Sequence, residues 1–303
     1  MVKTSSDGLN LIVSHDTWAE YTTMIKIYKY YSFNFNDPST KVKEMAFSSY
    51  PCALHSTDDY YVLGNQMVVS ETSNAVYNAS LYLNYFSEKT VSEWIRLTVA
   101  NRMADSGESW ISVFSRFNSG TYNNQWQIID YKLFEPGTPI KPGTLWIAEQ
   151  IPGQVFSADK SDSLANGGYW PSYNIPYFPY NYDISGYPAY YLKYGNSFSY
   201  QNCSRALIFR RDAGKVDTID DMKRLMRSNE YQTDPLSLRD ACKTIAARCD
   251  LNTPWTEDPE IDYYPYGATD CKIVDASLVK DLKSWIVSGP TWDSQPPFAW
   301  TNQ

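Results

Sequence analysis

Residues 60–72 read YYVLGNQMVVSET, two β-rich runs that meet at Gly64-Asn65. A tight turn of this kind closes only an antiparallel pair, because parallel neighbours need a crossover of a dozen or more residues. The chain must therefore build an antiparallel sheet. NNQWQIIDYKLF and TLWIAEQIPG extend the argument: the first alternates apolar and polar side chains before Pro136 and Gly137, and the second follows the Gly143 turn. They read as adjacent antiparallel strands. LNLIVSH, at residues 9–15, reads as a buried strand.

Helical spacing appears elsewhere. Thr17-Trp18-Ala19-Glu20 fits a capping box, and Trp18, Tyr21, Ile25 and Tyr28 follow at helical intervals, which predicts a helix over 17–30. Thr90-Val91-Ser92-Glu93 opens a second helix to about Met103. Trp110, Val113, Phe114 and Phe117 mark a third, and Thr218 to Arg227 a fourth. The Tyr-, Pro- and Gly-rich stretch GGYWPSYNIPYFPYNYDISGYPAYY reads as ordered but irregular, since disorder would carry fewer aromatics. Helices and strands come in runs, so the fold class is α+β. With no repeat and no linker, residues 1–303 form a single domain.

The formal net charge of −8 argues against nucleic acid as a partner, because phosphates call for a basic stripe. No apolar run approaches the roughly 20 residues of a transmembrane segment, and residues 1–14 lack the pattern of a signal peptide. The 26 tyrosines and 10 tryptophans suit either an aromatic core or a cleft for an amphipathic ligand. No cofactor fingerprint and no metal-ligand spacing is present, so neither a cofactor nor a metal is expected. Cys242 and Cys249 are close enough for a local disulfide, and Asn78 and Asn202 head glycosylation sequons.

Candidate chemistry starts with His15, placed where a strand ends. His55 reads as structural or superficial, and Asp58-Asp59 as a solvated turn. Asn123-Asn124-Gln125 and Tyr173-Asn174 carry amides able to donate to an oxyanion. Arg205 leads the apolar run of NCSRALIFRRD, read as a buried strand, where an arginine pairs with a carboxylate or holds a functional group.

Longer strings are more specific. NSGTYNNQWQIIDYKLF, IAEQIPG, YWPSYNIPYF, RALIFRRD, MKRLMRSNEYQTDPLS and SGPT, together with SSYPCALHSTDDYYVLGNQMVVSET and VANRMADSGESW, closely resemble the phospholipase B-like family, in its order and spacing. The resemblance implies an N-terminal-nucleophile (Ntn) hydrolase fold: an αββα sandwich of two antiparallel sheets between helix layers. It implies a precursor cut to expose a cysteine, whose thiol attacks an ester or amide carbonyl with its own α-amino group as base. It assigns His15, Asn174 and Arg205 to catalysis, with Trp18 and Ser73 in the substrate pocket.

The same resemblance implies deacylation of glycerophospholipids by a lysosomal or secreted glycoprotein, and a small N-terminal chain of the same precursor as partner. Alternatives are an amidase of N-acyl compounds and a non-catalytic lipid-binding homologue. Counting back from His15 puts the family's cysteine a few residues before Met1, and the family continues past Trp300. The expectation is thus a chain truncated at both ends, inactive as it stands.

Overall fold

The computed structural model of the chain describes residues 1–252 and 263–300. Five strands, numbered along the chain, form one antiparallel sheet: β1 (Val2–Thr4), β2 (Leu11–His15), β11 (Tyr169–Trp170), β13 (Asp270–Asp275) and β14 (Trp285–Ser288). Their order is β11-β1-β2-β13-β14. Seven more form a second sheet. They are β4 (Ile27–Ser32), β5 (Glu44–Ser49), β6 (Tyr60–Leu63), β7 (Met67–Ser73), β8 (Asn124–Asp130), β9 (Leu145–Ile151) and β10 (Gln154–Asp159). This sheet is a meander in which each strand lies beside its sequence neighbours in the series. β3 (Trp18–Glu20) and β12 (Tyr266–Ala268) make a two-stranded ribbon.

The helices are α1 (Ser80–Tyr85), α2 (Glu93–Met103), α3 (Gly107–Phe114), α4 (Ser161–Gly167), α5 (Pro179–Ile184), α6 (Tyr187–Tyr194), α7 (Ser204–Asp212) and α8 (Ile219–Met226). Three buried clusters show how they stack. Phe47, Met67, Val69, Trp126 and Ile128 of the second sheet pack on Leu97 and Ala100 of α2 and on Trp110 and Phe114 of α3. Leu11, Val13 and Val274 of the first sheet meet Val62, Val68, Ile129 and Ile147 of the second. On the first sheet's outer face, Ile12 and Ile273 pack on Phe209 of α7 and Met222 and Met226 of α8. Because side chains alternate along a strand, each sheet feeds two different layers. The result is an αββα sandwich.

The hairpin stands where expected, with one adjustment. Leu63 pairs with Met67, so the loop is Gly64–Gln66, and Gln66 takes the left-handed conformation (φ 62). β8 and β9 pair antiparallel, α2, α3 and α8 form, and Cys242 and Cys249 are joined.

Four local expectations fail. Residues 17–30 are not a helix but β3, a short turn and β4. The Thr17 hydroxyl accepts from Lys272 Nζ at 2.7 Å instead of capping, and the alternation of IYKYYS suits the edge strand it becomes. Arg205 sits on a helix rather than a strand, since Ala206 and Phe209 of α7 face the first sheet. The aromatic stretch is irregular over 171–178 but helical beyond: α5 starts at Pro179 and α6 has Pro188 in its first turn, where a missing N–H costs nothing. Asp58 and Asp59 are almost fully buried, because Lys26 lies 3.1 Å from Asp58 and the Tyr122 hydroxyl donates to Asp59 at 2.7 Å.

His55 stacks on Trp94 in a half-buried position. Asn202 is exposed, whereas Asn78 is half-buried and its amide donates to Ile184 O at 3.1 Å.

Trp110 has no solvent exposure and donates to Asn101 Oδ1 at 2.8 Å, so it pins α3 to α2 over the second sheet. Trp110→Ala should lower unfolding free energy by about 3–5 kcal/mol in urea titration. A loss below about 1 kcal/mol would contradict this packing.

Candidate active site

The layer between the sheets is apolar at one end and polar at the other. Along β2 its face reads Leu11, Val13, His15; along β13, Val274, Lys272, Asp270. Along β7 it reads Val68, Ser70, Thr72; along β8, Ile129, Gln127, Gln125; along β9, Leu145, Ile147, Glu149. The paired register brings these polar ends together: His15 is opposite Lys272, and Ser70 opposite Gln127. At this polar end a cavity of about 180 Å³ opens.

His15, Trp18, Ser73, Asn174 and Arg205 all line that cavity, although they come from distant parts of the chain. His15 Nε2 lies 2.8 Å from the carbonyl oxygen of Glu71, so Nε2 carries the proton and donates it. That leaves Nδ1 as an acceptor, buried and without a partner among the described residues. Burial first, and Lys272 second, push the imidazole well below its ordinary pKa, so His15 is neutral.

Asn174 sits in the left-handed region (φ 65) and is held from three sides. Its Nδ2 donates to Ser73 O at 2.7 Å, its Oδ1 accepts from Arg205 at 2.8 Å, and its main-chain oxygen accepts from the Tyr187 hydroxyl at 3.2 Å. A guanidinium on the amide oxygen polarises the amide and strengthens its second N–H as a donor. Arg205 also donates to Tyr173 O at 2.8 Å, and its plane lies 4.3 Å from the Trp18 ring.

Charged groups missed in the sequence surround this core. Lys26 bridges Asp58 (3.1 Å) and Asp270 (2.7 Å), and Lys272 holds the other oxygen of Asp270. Burial alone would raise Asp270, but Lys272 and Lys26 keep it well below the usual carboxylate range. On the other side, the Tyr122 hydroxyl lies between Asp59 (2.7 Å) and Glu71 (3.2 Å). Burial, then the Glu71 charge, push Asp59 well up, and burial lifts Glu71 to about 7. Glu93 is raised by burial and by Asp59. Burial also brings Asp16, on the cavity wall beside the Cys271 thiol, to about 7. Among the described residues, no group of His, Cys, Asp and Glu is arranged to hold a metal ion, and no helix is long and apolar enough to cross a membrane.

Comparison with known proteins bears on this geometry. The family model described as Phospholipase B matches residues 1–303. The chain belongs to the phospholipase B family. It is 42% identical over 303 residues to phospholipase B-like protein B of Dictyostelium discoideum, covering 100% of this chain and 52% of that protein. It is also 42% identical over 292 residues to human phospholipase B-like 1, covering 96% of this chain and 51% of the relative. The chain thus spans about half the length of these relatives. Among solved structures, penicillin V acylase of Agrobacterium tumefaciens aligns with a TM-score of 0.48 at 11% identity, over 95% of this chain and 81% of its own. A variant of the conjugated bile acid hydrolase of Clostridium perfringens aligns with a TM-score of 0.49 at 10% identity, over 95% and 88%.

In this phospholipase B family member, the overlooked carboxylates had one readable signal. Glu71 shares a strand face with the apolar Met67 and Val69, an odd position for a solvated acid. The Glu71 carboxyl is raised from 4.5 to about 7 on folding, so the native state holds more protons than the unfolded chain across that window. Stability from this group is therefore present at low pH and lost as pH rises through about 7. Glu71→Gln keeps an acceptor for Tyr122 and removes the titration. Between pH 5 and 8 the wild type should lose at least about 2 °C more of Tm than the variant, read by calorimetry. Parallel Tm-against-pH curves would contradict the raised Glu71 carboxyl.

Proposed function

We propose that the polar chamber is where an acyl group is cleaved from a glycerophospholipid by carboxylic ester hydrolysis. The observation that carries this reading is the pinned amide of Asn174 facing the same cavity as the unpartnered Nδ1 of His15. A donor fixed before substrate arrives needs no reorganisation when charge develops on the carbonyl oxygen, and that is where electrostatic catalysis gains most.

In this reading the nucleophile is a cysteine thiol on residues preceding Met1, delivered to the chamber by the line of β1. Met1 itself lines the cavity and its nitrogen donates to Ser14 O at 2.7 Å, which supports that path. The sulfur attacks the acyl carbon, and the oxyanion takes the second N–H of Asn174. The cysteine's own α-amino group takes the thiol proton; collapse then breaks the C–O bond, the ammonium returns that proton to the leaving alkoxide, and the lyso product departs. Water then attacks the thioester, releasing fatty acid and restoring the thiol. His15 accepts a hydrogen bond at Nδ1 and orders the attacking group. Arg205 positions Asn174, while Trp18 and Ser73 shape the pocket. A lysosomal or secreted setting fits the Cys242–Cys249 bridge and the exposed Asn202, and in this reading the partner is a small N-terminal chain of the same precursor.

The 303-residue chain should release no measurable fatty acid from phosphatidylcholine. A version extended upstream so that a processed cysteine leads, with any small-chain partner co-expressed, should release it. In that version Asn174→Ala should lower kcat by about 10²–10³-fold. Iodoacetamide-insensitive turnover by the unextended chain would show that the nucleophile is another group.

A further inference from the structure

A second cavity, of about 170 Å³, lies on the far side of Trp18, Asn174 and Arg205, which also line the first. The two chambers share a wall but differ in charge. The first is bordered by Asp16, Asp58 and Glu71. Among the described residues the second has no carboxylate in its lining; aromatic side chains, including Tyr77, Tyr187 and Phe198, surround two cations, Arg205 and Lys243.

Among the described residues Arg205 has no carboxylate partner, and Lys243 has only the longer ion pair with Asp240. Among those same described residues the side-chain bonds of Arg205 go to an amide oxygen and a main-chain carbonyl, and the groups that bear most on its charge are a thiol and tyrosines. Lys243 stays 3.6 Å from Asp240, whose other oxygen is already bonded by Cys242 N and Asn252. A guanidinium taken out of water without an anion is costly unless a ligand supplies the counter-charge. This stands out in a chain whose net charge is −8.

We propose that the second chamber is an anion-selecting subsite: it receives an anionic group of the substrate, a phosphate ester or a carboxylate, while the acyl carbonyl lies in the first chamber. The aromatic walls pack the carbon skeleton between the two. Arg205 and Lys243 both line the chamber and supply the positive charge, and a neutral acyl ester leaves Arg205 unmatched. The placement of the carbonyl rests on the function proposed above; the anion preference rests on the second chamber alone.

The test is calorimetric titration of the full 303-residue chain with three probes that share a hexanoyl group: 1-hexanoylglycerol 3-phosphate, N-hexanoylglycine and neutral 1-hexanoylglycerol. At low salt at least one anionic probe should bind 10-fold or more tighter than the neutral one, and which it is identifies the phosphate or the carboxylate as the natural group. The preference should shrink in high salt. Lys243→Gln should weaken the preferred anionic probe about 3–10-fold and leave the neutral probe unchanged. Lys193→Gln, an exposed lysine outside the chamber, should change nothing. Equal affinity for all three probes, or an unchanged preference in Lys243→Gln, would overturn the subsite. Anion-selective binding combined with no hydrolysis by the extended chain would overturn the proposed function and leave the subsite standing.

Discussion

Two facing sheets must bury a shared layer, and that layer has to end somewhere. Here it ends in charge. Lys26, Asp58, Asp270 and Lys272 interlock at the rim of the apolar core, two cations against two anions, with Lys272 and Asp58 essentially out of water. Such a set is stable only complete, since removing one partner leaves a buried charge unmatched at about 3–5 kcal/mol. The network also fixes His15, because Lys272 lies across from it in the ladder. Whatever chemistry occurs in the chamber is built on this closure.

On that base, the two sides of the chamber do different work. The β7 side, with Glu71, Asp59 and Tyr122, keeps protons that isolated carboxylates would release at neutral pH. The α7 side, with Arg205 on Asn174 and Trp18, keeps a donor aimed and positive charge in place. The first side belongs to the second sheet and the other to the helical layer outside the first. An arrangement assembled from separate layers stays in register only if the sheets do not slide. The fully buried Tyr60 helps here: it packs in the inter-sheet cluster, and its hydroxyl lies 2.9 Å from the Ser284 hydroxyl just before β14.

Much of the fold is legible in the residues. The Gly64-Asn65 turn and the alternation of NNQWQIIDYKLF lead to the second sheet, because both signals are local. The first sheet is harder to read. β1 and β11 are three and two residues long, and β2 finds β13 more than 250 positions away, with no local sign of the pairing. The failed helix at 17–30 has the same cause: Thr17 and Trp18 answer to Lys272 and to the ribbon strand β12, partners that helical spacing cannot reveal. Among the site residues, Asn174 and Arg205 lie in long family-like strings, and the resemblance carries His15 with them. Asp58 and Asp59 lie in such a string too, yet a charged pair in a turn-like stretch looks solvated until its counter-ion Lys26 is seen.

The central claim is that Asn174 is a fixed donor for an oxyanion in the chamber shared with His15. A crystal structure of the chain with a short alkyl phosphonate monoester, a stable tetrahedral mimic of the attacked ester, tests it most directly. The account predicts a phosphoryl oxygen within about 3 Å of Asn174 Nδ2, with His15 beside it and the Arg205 bond to Asn174 intact. A phosphonate seated instead in the apolar groove of Ile25, Trp292 and Phe298, with the polar chamber holding only water, would contradict it.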